Sequence, residues 1–242
     1  QSRLAGKRAS SRQVRSIMRE RGILLTTPER SLLRQAINAY SQGIFPMADD
    51  DGTIYWYDPD PRAIIPLEKL HVPRSLARRI RKGDFEIRFD TAFREVIMAC
   101  AEPAPDREKT WINQEFINVY TELHHLGFAH SVETWIDGEL AGGLYGVSVR
   151  GLFAGESMFS RATDSSKIAL VHLVNHLRRR KFVLLDTQFM TEHFRRFGAI
   201  QVSQVEYKYG NSVSEEVATK IAENIEVLEG INAQTINLKK IT

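Results

Sequence analysis

Apolar and polar positions recur along this chain with two periods, and the switches between them mark its elements. Glu29–Gln42 sets Leu32, Leu33, Ala36, Ile37 and Tyr40 at helical spacing, and Gly43 stops it. Ile44–Met47 reads as a loop, followed by short strands at Thr53–Tyr57 and Ala63–Pro66. Between them, the prolines of Asp58-Pro59-Asp60-Pro61-Arg62 bar the residues before them from the helical region, so this stretch is extended or turned. Pro73–Lys82 is a short helix closed by Gly83, with Leu76 and Ile80 on one face. Phe85–Phe89 alternates like a strand, and Asp90 is placed to cap a helix running through Ala101. Gln114–Leu126 is helical on Phe116, Ile117, Tyr120 and Leu123, and ends at Gly127.

Beyond residue 130 the period shortens. Ser131–Ile136 and Glu139–Val149 are runs of β-formers joined by the two-residue turn Asp137-Gly138. Leu152–Ser160 is another strand, Ser165–Lys181 a helix, and Phe182–Phe189 a short strand. Ribbon, helix, strand and helix is the order of a GNAT-like acyltransferase core. The chain therefore reads as α+β: a GNAT-like core over 84–210, a mixed sheet with flanking helices, preceded by a smaller α+β N-terminal domain over 29–83. Such folds bind coenzyme A phosphates on a glycine-rich turn before the long helix. Here that turn is Arg161-Ala162-Thr163-Asp164-Ser165, with no glycine to shape a backbone nest. An acyl donor other than coenzyme A is expected.

Composition narrows the class. With 43% apolar and 26% charged residues the chain is an ordinary globular protein, and no run approaches the ~18 apolar residues of a membrane helix. The lone Cys100 cannot form an internal disulfide, which suits a reducing compartment. Net charge is only +3, yet residues 1–21 hold seven Lys or Arg against one acid. Residues 1–28 read as a basic arm outside the fold, and 211–242 as a peripheral tail.

Candidate chemistry lies mostly past residue 150. Asp186 and Gln188 are two apart on a strand, which by alternation puts both side chains on one face. They form either a site pair or a strand exit that caps the next helix. Glu156 sits in a small-residue, sheet-like segment, where a carboxylate is functional or paired, with Arg161 and Lys167 as nearby cations. His172 and His176 have the i, i+4 spacing of a zinc pair but lack a third ligand, so no metal is expected. Arg74, Arg78 and Arg81 line one face of their helix and, with Arg178-Arg179-Arg180-Lys181, are either solvated cations or a track for a phosphate backbone. Gly142-Gly143-x-x-Gly146 lies inside a ribbon, where glycine permits close backbone approach.

Gly43-Ile44-Phe45-Pro46, Trp56 through Arg62, Thr110-Trp111-Ile112, His130-Ser131-Val132-Glu133, Gly142 through Val147, Phe153 through Ser160, Ser166-Lys167 and Leu185-Asp186-Thr187-Gln188 occur in that order. Together, over roughly residues 30–209, they resemble the leucyl/phenylalanyl-tRNA–protein transferase family. The resemblance implies a cytoplasmic, metal-free enzyme needing no cofactor. Its partners would be leucyl- or phenylalanyl-tRNA and proteins beginning with Arg or Lys, which it marks for degradation. It further implies that Asp186 and Gln188 are the catalytic pair and that Glu156 holds the substrate amine. Leu144, Phe153, Met158 and Leu185 would line the aminoacyl pocket. Trp111 would stack on the terminal adenine of tRNA, helped by Met47 where many members carry Trp. Arg74, Arg78 and Arg81 are the expected tRNA contacts. Two other classes fit parts of the pattern: a Fem-type aminoacyl-tRNA-dependent ligase and a non-catalytic RNA-binding module.

Overall fold

The longest alternating runs build the centre of the molecule. A computed structural model describes residues 25–103, 109–149, 151–209 and 238–239. The proposed arm, apart from its last four residues, the middle of the 103–109 loop and most of the proposed tail lie outside the described residues. In chain order the elements are α1 (Thr27–Ser41), β1 (Phe45–Ala48), β2 (Ile54–Tyr57), β3 (Arg62–Pro66), α2 (Arg74–Lys82), β4 (Glu86–Phe89), α3 (Phe93–Ala101) and α4 (Gln114–His125). Then come β5 (Ala129–Ile136), β6 (Glu139–Val149), β7 (Leu152–Ser160), α5 (Ser165–Arg179), β8 (Leu184–Gln188), α6 (Glu192–Arg196), β9 (Ile200–Val202), α7 (Gln204–Tyr209) and β10 (Leu238–Lys239).

Seven strands form one sheet in the order β4-β5-β6-β7-β8-β3-β9. All neighbours are antiparallel except β7 and β8, which run parallel because α5 carries the chain back between them. The Asp137-Gly138 turn works as its sequence demands, both residues taking positive φ (52° and 81°). Period-2 alternation then splits the strands between two cores. Leu144, Phe153 and Leu185 pack with Ile168, Leu173 and Leu177 of α5. Their neighbours Tyr145 and Ala154 pack instead with α1, α3 and α4 through Leu33, Phe93 and Phe116. The result is a mixed α+β fold, a central mixed sheet with helices on both faces. Among the described residues no helix is long and apolar enough to cross a membrane.

Close approach explains the ribbon glycines. A Cβ on Gly146 would sit 2.2 Å from the Ala154 carbonyl oxygen, and one on Gly142 2.2 Å from the Ser165 hydroxyl.

Two local expectations are corrected. The loop at Ile44–Met47 is largely strand: Phe45–Ala48 pairs antiparallel with β2, and Pro46 is tolerated there because β2's other side is taken by β10, leaving β1 at an edge. Asp90 does not cap α3. Its backbone is left-handed (φ 60°), and its carboxylate binds the Ser131 N–H (2.9 Å) and His130 (2.8 Å). Buried Glu133, reaching across from β5, takes the free N–H groups of Thr91 and Ala92 instead.

Candidate active site

Strands β7 and β8 pair only from Leu152–Ala154 against Leu184–Asp186, while β7 runs on to Ser160. At that point both strands are irregular. Between β6 and β7, Tyr145 faces Ser157 and Gly146 faces Gly155, so Glu156 is an inserted residue. Between β3 and β8, Ala63 faces Gln188 and Ile64 faces Asp186, so Thr187 is inserted too. Bulges re-aim side chains and end pairing. Two on adjacent strands gather polar groups where the sheet opens.

A hydrogen-bonded chain crosses this opening. The Tyr40 and Tyr120 hydroxyls touch, and the Tyr120 hydroxyl lies 3.4 Å from a Glu156 oxygen. Gln188 Nε2 donates to Glu156 Oε1 at 3.0 Å, and the Gln188 backbone N–H donates to Asp186 Oδ1 at 2.9 Å. That second bond holds Gln188 in a left-handed conformation (φ 64°) that a residue with a side chain rarely adopts. Asp186 also accepts from Arg62 Nε (2.9 Å), Arg62 Nη2 (2.6 Å) and the Tyr207 hydroxyl (2.8 Å). Arg62 gives its remaining arm to the Gly43 carbonyl (2.8 Å) and lies between the rings of Phe45 and Tyr207.

Burial sets the electrostatics. Glu156 is 8% exposed, and desolvation pushes its pKa up to about 8; hydrogen bonds from Tyr40 and Gln188 pull the other way, and Asp186 adds to the rise. Burial likewise raises Tyr40, Tyr120 and Tyr207, so all three stay neutral hydroxyls. Burial opposes the Arg62 charge, but Asp186 beside it more than compensates and the guanidinium stays charged. The arrangement offers one carboxyl that titrates near neutrality, beside a second whose acceptor positions are filled.

Simple strand alternation does not relate Asp186 to Gln188. The inserted Thr187 breaks the period between them, and they are joined through the Gln188 backbone rather than side by side. Neither caps the next helix; Thr191 does, accepting from the Phe194 N–H at 3.2 Å. Glu156 has neither cation expected for it, because Arg161 pairs with Glu102 (3.0 Å) and Lys167 with Asp164 (2.6 Å).

Leu144, Phe153, Met158 and Leu185 come together in the core beneath α5. Trp111 and Met47 are both half-buried on the rim of the other core, with the Trp111 ring edge-on to Phe116 at 5.4 Å. A Lys109–Asp50 ion pair ties the segment before Trp111 to the β1–β2 turn. Arg74, Arg78 and Arg81 stand exposed on α2, whereas Arg178 turns inward to the Leu67 carbonyl. The rings of His172 and His176 lie against Phe85 and Phe89, and among the described residues no three His, Cys, Asp or Glu are grouped to hold a metal. A cavity of about 440 Å³ lies elsewhere, between α2, α5 and α6, lined by Leu76, Lys167, His193 and Arg196 among others.

Sequence reasoning missed Arg62, Tyr207, Tyr40 and Tyr120. The available signals were a cation at the head of an apolar strand and tyrosines at inward helix positions, whose hydroxyls must find partners.

The family described as leucyl/phenylalanyl-tRNA protein transferase matches residues 64–210, and its N-terminal domain matches 34–60. A leucyl/phenylalanyl-tRNA–protein transferase of Herpetosiphon aurantiacus is 63% identical over 173 residues, covering 71% of this chain and 88% of that protein. One from Paramagnetospirillum magneticum is 55% identical over 174 residues, covering 71% and 83%. Among solved structures, L-PGS from Bacillus licheniformis aligns at 9% identity with a TM-score of 0.44, over 82% of this chain and 91% of that one.

Proposed function

We infer the roles of these residues from the premise that this chain belongs to the leucyl/phenylalanyl-tRNA–protein transferase family. It is an aminoacyltransferase that moves leucine or phenylalanine from aminoacyl-tRNA to protein N-termini. The finer reading is ours. The acceptors begin with Arg or Lys, the work is done in the cytoplasm, and the ribbon, parallel β7–β8 pair and α5 form a GNAT-like core over 84–210. Residues 29–83 form the smaller domain and lend β3 to the large sheet.

The observation that carries the site is the Glu156–Gln188 contact at the opening between β7 and β8. An aminoacyl ester is already activated, so its attacker needs only to lose a proton and be positioned. A protein α-amine has a pKa of about 7.7–8.0. Glu156, raised by burial to about 8, is matched to it. Glu156 in its carboxylate form, the minor one below about pH 8, therefore receives the neutral amine and takes the proton its nitrogen releases on attack, and Gln188 orients Glu156. The Asp186 oxygens are occupied by Arg62, Tyr207 and the Gln188 N–H. The part of Asp186 is to fix the left-handed Gln188 backbone. Holding amine and ester in attack geometry is worth as much as ~7–11 kcal/mol, so positioning dominates.

Leu144, Phe153, Met158 and Leu185 receive the aminoacyl side chain, Trp111 and Met47 cover the adenine, and Arg74, Arg78 and Arg81 meet tRNA phosphates. The deciding assay follows labelled leucine from leucyl-tRNA to a protein starting with Arg, against the same protein starting with Ser. Label on the Arg-started protein alone supports the reading. No label on either, or equal label on both, overturns it.

A further inference from the structure

We propose that the Thr187 hydroxyl is a catalytic group of this transferase, donating a hydrogen bond to the ester carbonyl oxygen of the aminoacyl donor as negative charge builds there. The inference rests on the functional reading above. Thr187 is 6% exposed, its Oγ1 is buried, and that oxygen has no hydrogen-bond partner in the protein. A buried hydroxyl left unpaired is costly, and a group kept in that state calls for a partner that arrives later. Its place indicates which partner. Thr187 is the inserted residue between Asp186 and Gln188, where β8 leaves β7 and Glu156 waits across the opening.

The donors around it support the same assignment. Aminolysis of an ester requires a donor for the developing oxyanion. Tyr40 and Tyr120 are engaged with each other and with Glu156. Tyr207 donates to Asp186, and each guanidinium nitrogen of Arg62 is engaged, two by Asp186 and one by the Gly43 carbonyl. The Gln188 backbone N–H is also held by Asp186. Among the Tyr40, Tyr120, Tyr207 and Thr187 hydroxyls, that of Thr187 has no partner in the protein and is left to give its proton to a substrate.

The step balances with these groups. The neutral amine attacks the carbonyl carbon, forming the C–N bond, and the π pair moves to oxygen, where Thr187 O–H stabilises it. Glu156 takes the proton released from nitrogen. The oxyanion pair then re-forms C=O, the bond to the ribose oxygen breaks, and that oxygen leaves with the proton held by Glu156. The products are a peptide bond and tRNA with a free terminal hydroxyl.

Thr187→Val keeps the shape and removes the hydroxyl; Thr187→Ser keeps the hydroxyl. The valine variant is expected to lose about 100-fold or more in kcat, with KM for leucyl-tRNA changed less than about twofold. Serine should restore most of the rate. Because the hydroxyl has no partner in the free protein, the valine variant should melt at or above the wild-type temperature. Near-normal kcat in Thr187→Val, failure of serine to restore it, or a clear drop in Tm would each overturn the proposal. Wild-type protein run alongside separates this from the broader reading: if it transfers nothing, the assigned reaction fails, whereas an active wild type with an equally active valine variant sinks Thr187 alone.

Discussion

Arg62 and Asp186 stand 124 positions apart in sequence and form an ion pair with almost no contact with solvent, 2% and 1% exposed at their side chains. Two guanidinium nitrogens meet the carboxylate, and Tyr207 closes the remaining side. This makes Asp186 an anchor. It joins the head of β3 to the end of β8 and, through Gln188, fixes the residue that steers Glu156.

Replacing Asp186 with Asn should therefore cost stability as well as rate. Removing one partner of a buried pair costs about 3–5 kcal/mol, because the other charge is stranded. Arg62→Met should cost a similar amount. The double variant Arg62→Met, Asp186→Leu should recover most of that stability, since apolar replacements of such pairs are close to neutral. It should not recover transfer, because the Gln188 backbone has lost its acceptor. Urea melts and leucine transfer measured on all three variants check this; a double variant that regains transfer would show that Asp186 does no positioning.

Glu156 makes a prediction about pH. Its folded pKa is about 8 against an ordinary value of 4.5, so the folded protein keeps a proton that the unfolded chain has released. The stability it contributes is complete below about pH 4.5 and is lost as pH rises through about 8. Glu156→Gln lacks this loss. Its melting temperature relative to wild type should rise from about pH 5 to about pH 8 and level off above that, while its transfer rate stays low throughout. A pH-independent difference would mean that Glu156 is already ionised in the fold.

Donor choice should be graded rather than absolute. Leu144, Phe153, Met158 and Leu185 present no polar side-chain group. One methylene in such a pocket is worth about 1–3 kcal/mol. Leucyl- and phenylalanyl-tRNA should lead, methionyl-tRNA should follow, and valyl- and seryl-tRNA should trail. Equal kcat/KM for all five would remove the pocket from this face of the sheet.

Salt should weaken tRNA binding through α2. Arg74, Arg78 and Arg81 are exposed and form no ion pair among the described residues, unlike Arg79 and Lys82, which share Asp84. Neutralising all three should lower affinity and flatten the slope of log K against log salt by about 2–3 units. Transfer from a minimal aminoacyl-adenosine donor should stay close to wild type. An unchanged slope would move the tRNA contact to another face.

The ribbon from Ala129 to Val149, β7 and α5 were legible because local chemistry specifies them: an Asp-Gly turn, a two-residue period, then a helical one. β1 was not, because Pro46 within Phe45–Ala48 looks like a loop until its edge position is known. Asp186, Gln188 and Glu156 were each visible as residues, but their arrangement was not. Alternation assumes unbroken pairing, and the insertions at Glu156 and Thr187 depend on the partner strands. Arg62 and Tyr207 were hidden for the same reason, as each acquires meaning only from residues far along the chain.

The clamp on Arg62 also bears on the order in which the protein is made. A ribosome delivers Arg62 long before Asp186 and Tyr207, the groups that take up its charge and cover its faces. A guanidinium without its carboxylate does not stay in an apolar interior, so the first segment must keep Arg62 hydrated while translation continues. Only when the chain has emerged through Tyr207 can β3, β8 and α7 close together. The proposed reaction centre thus closes only after Tyr207 has been made, and a chain short of that point would hold no complete site for a charged tRNA.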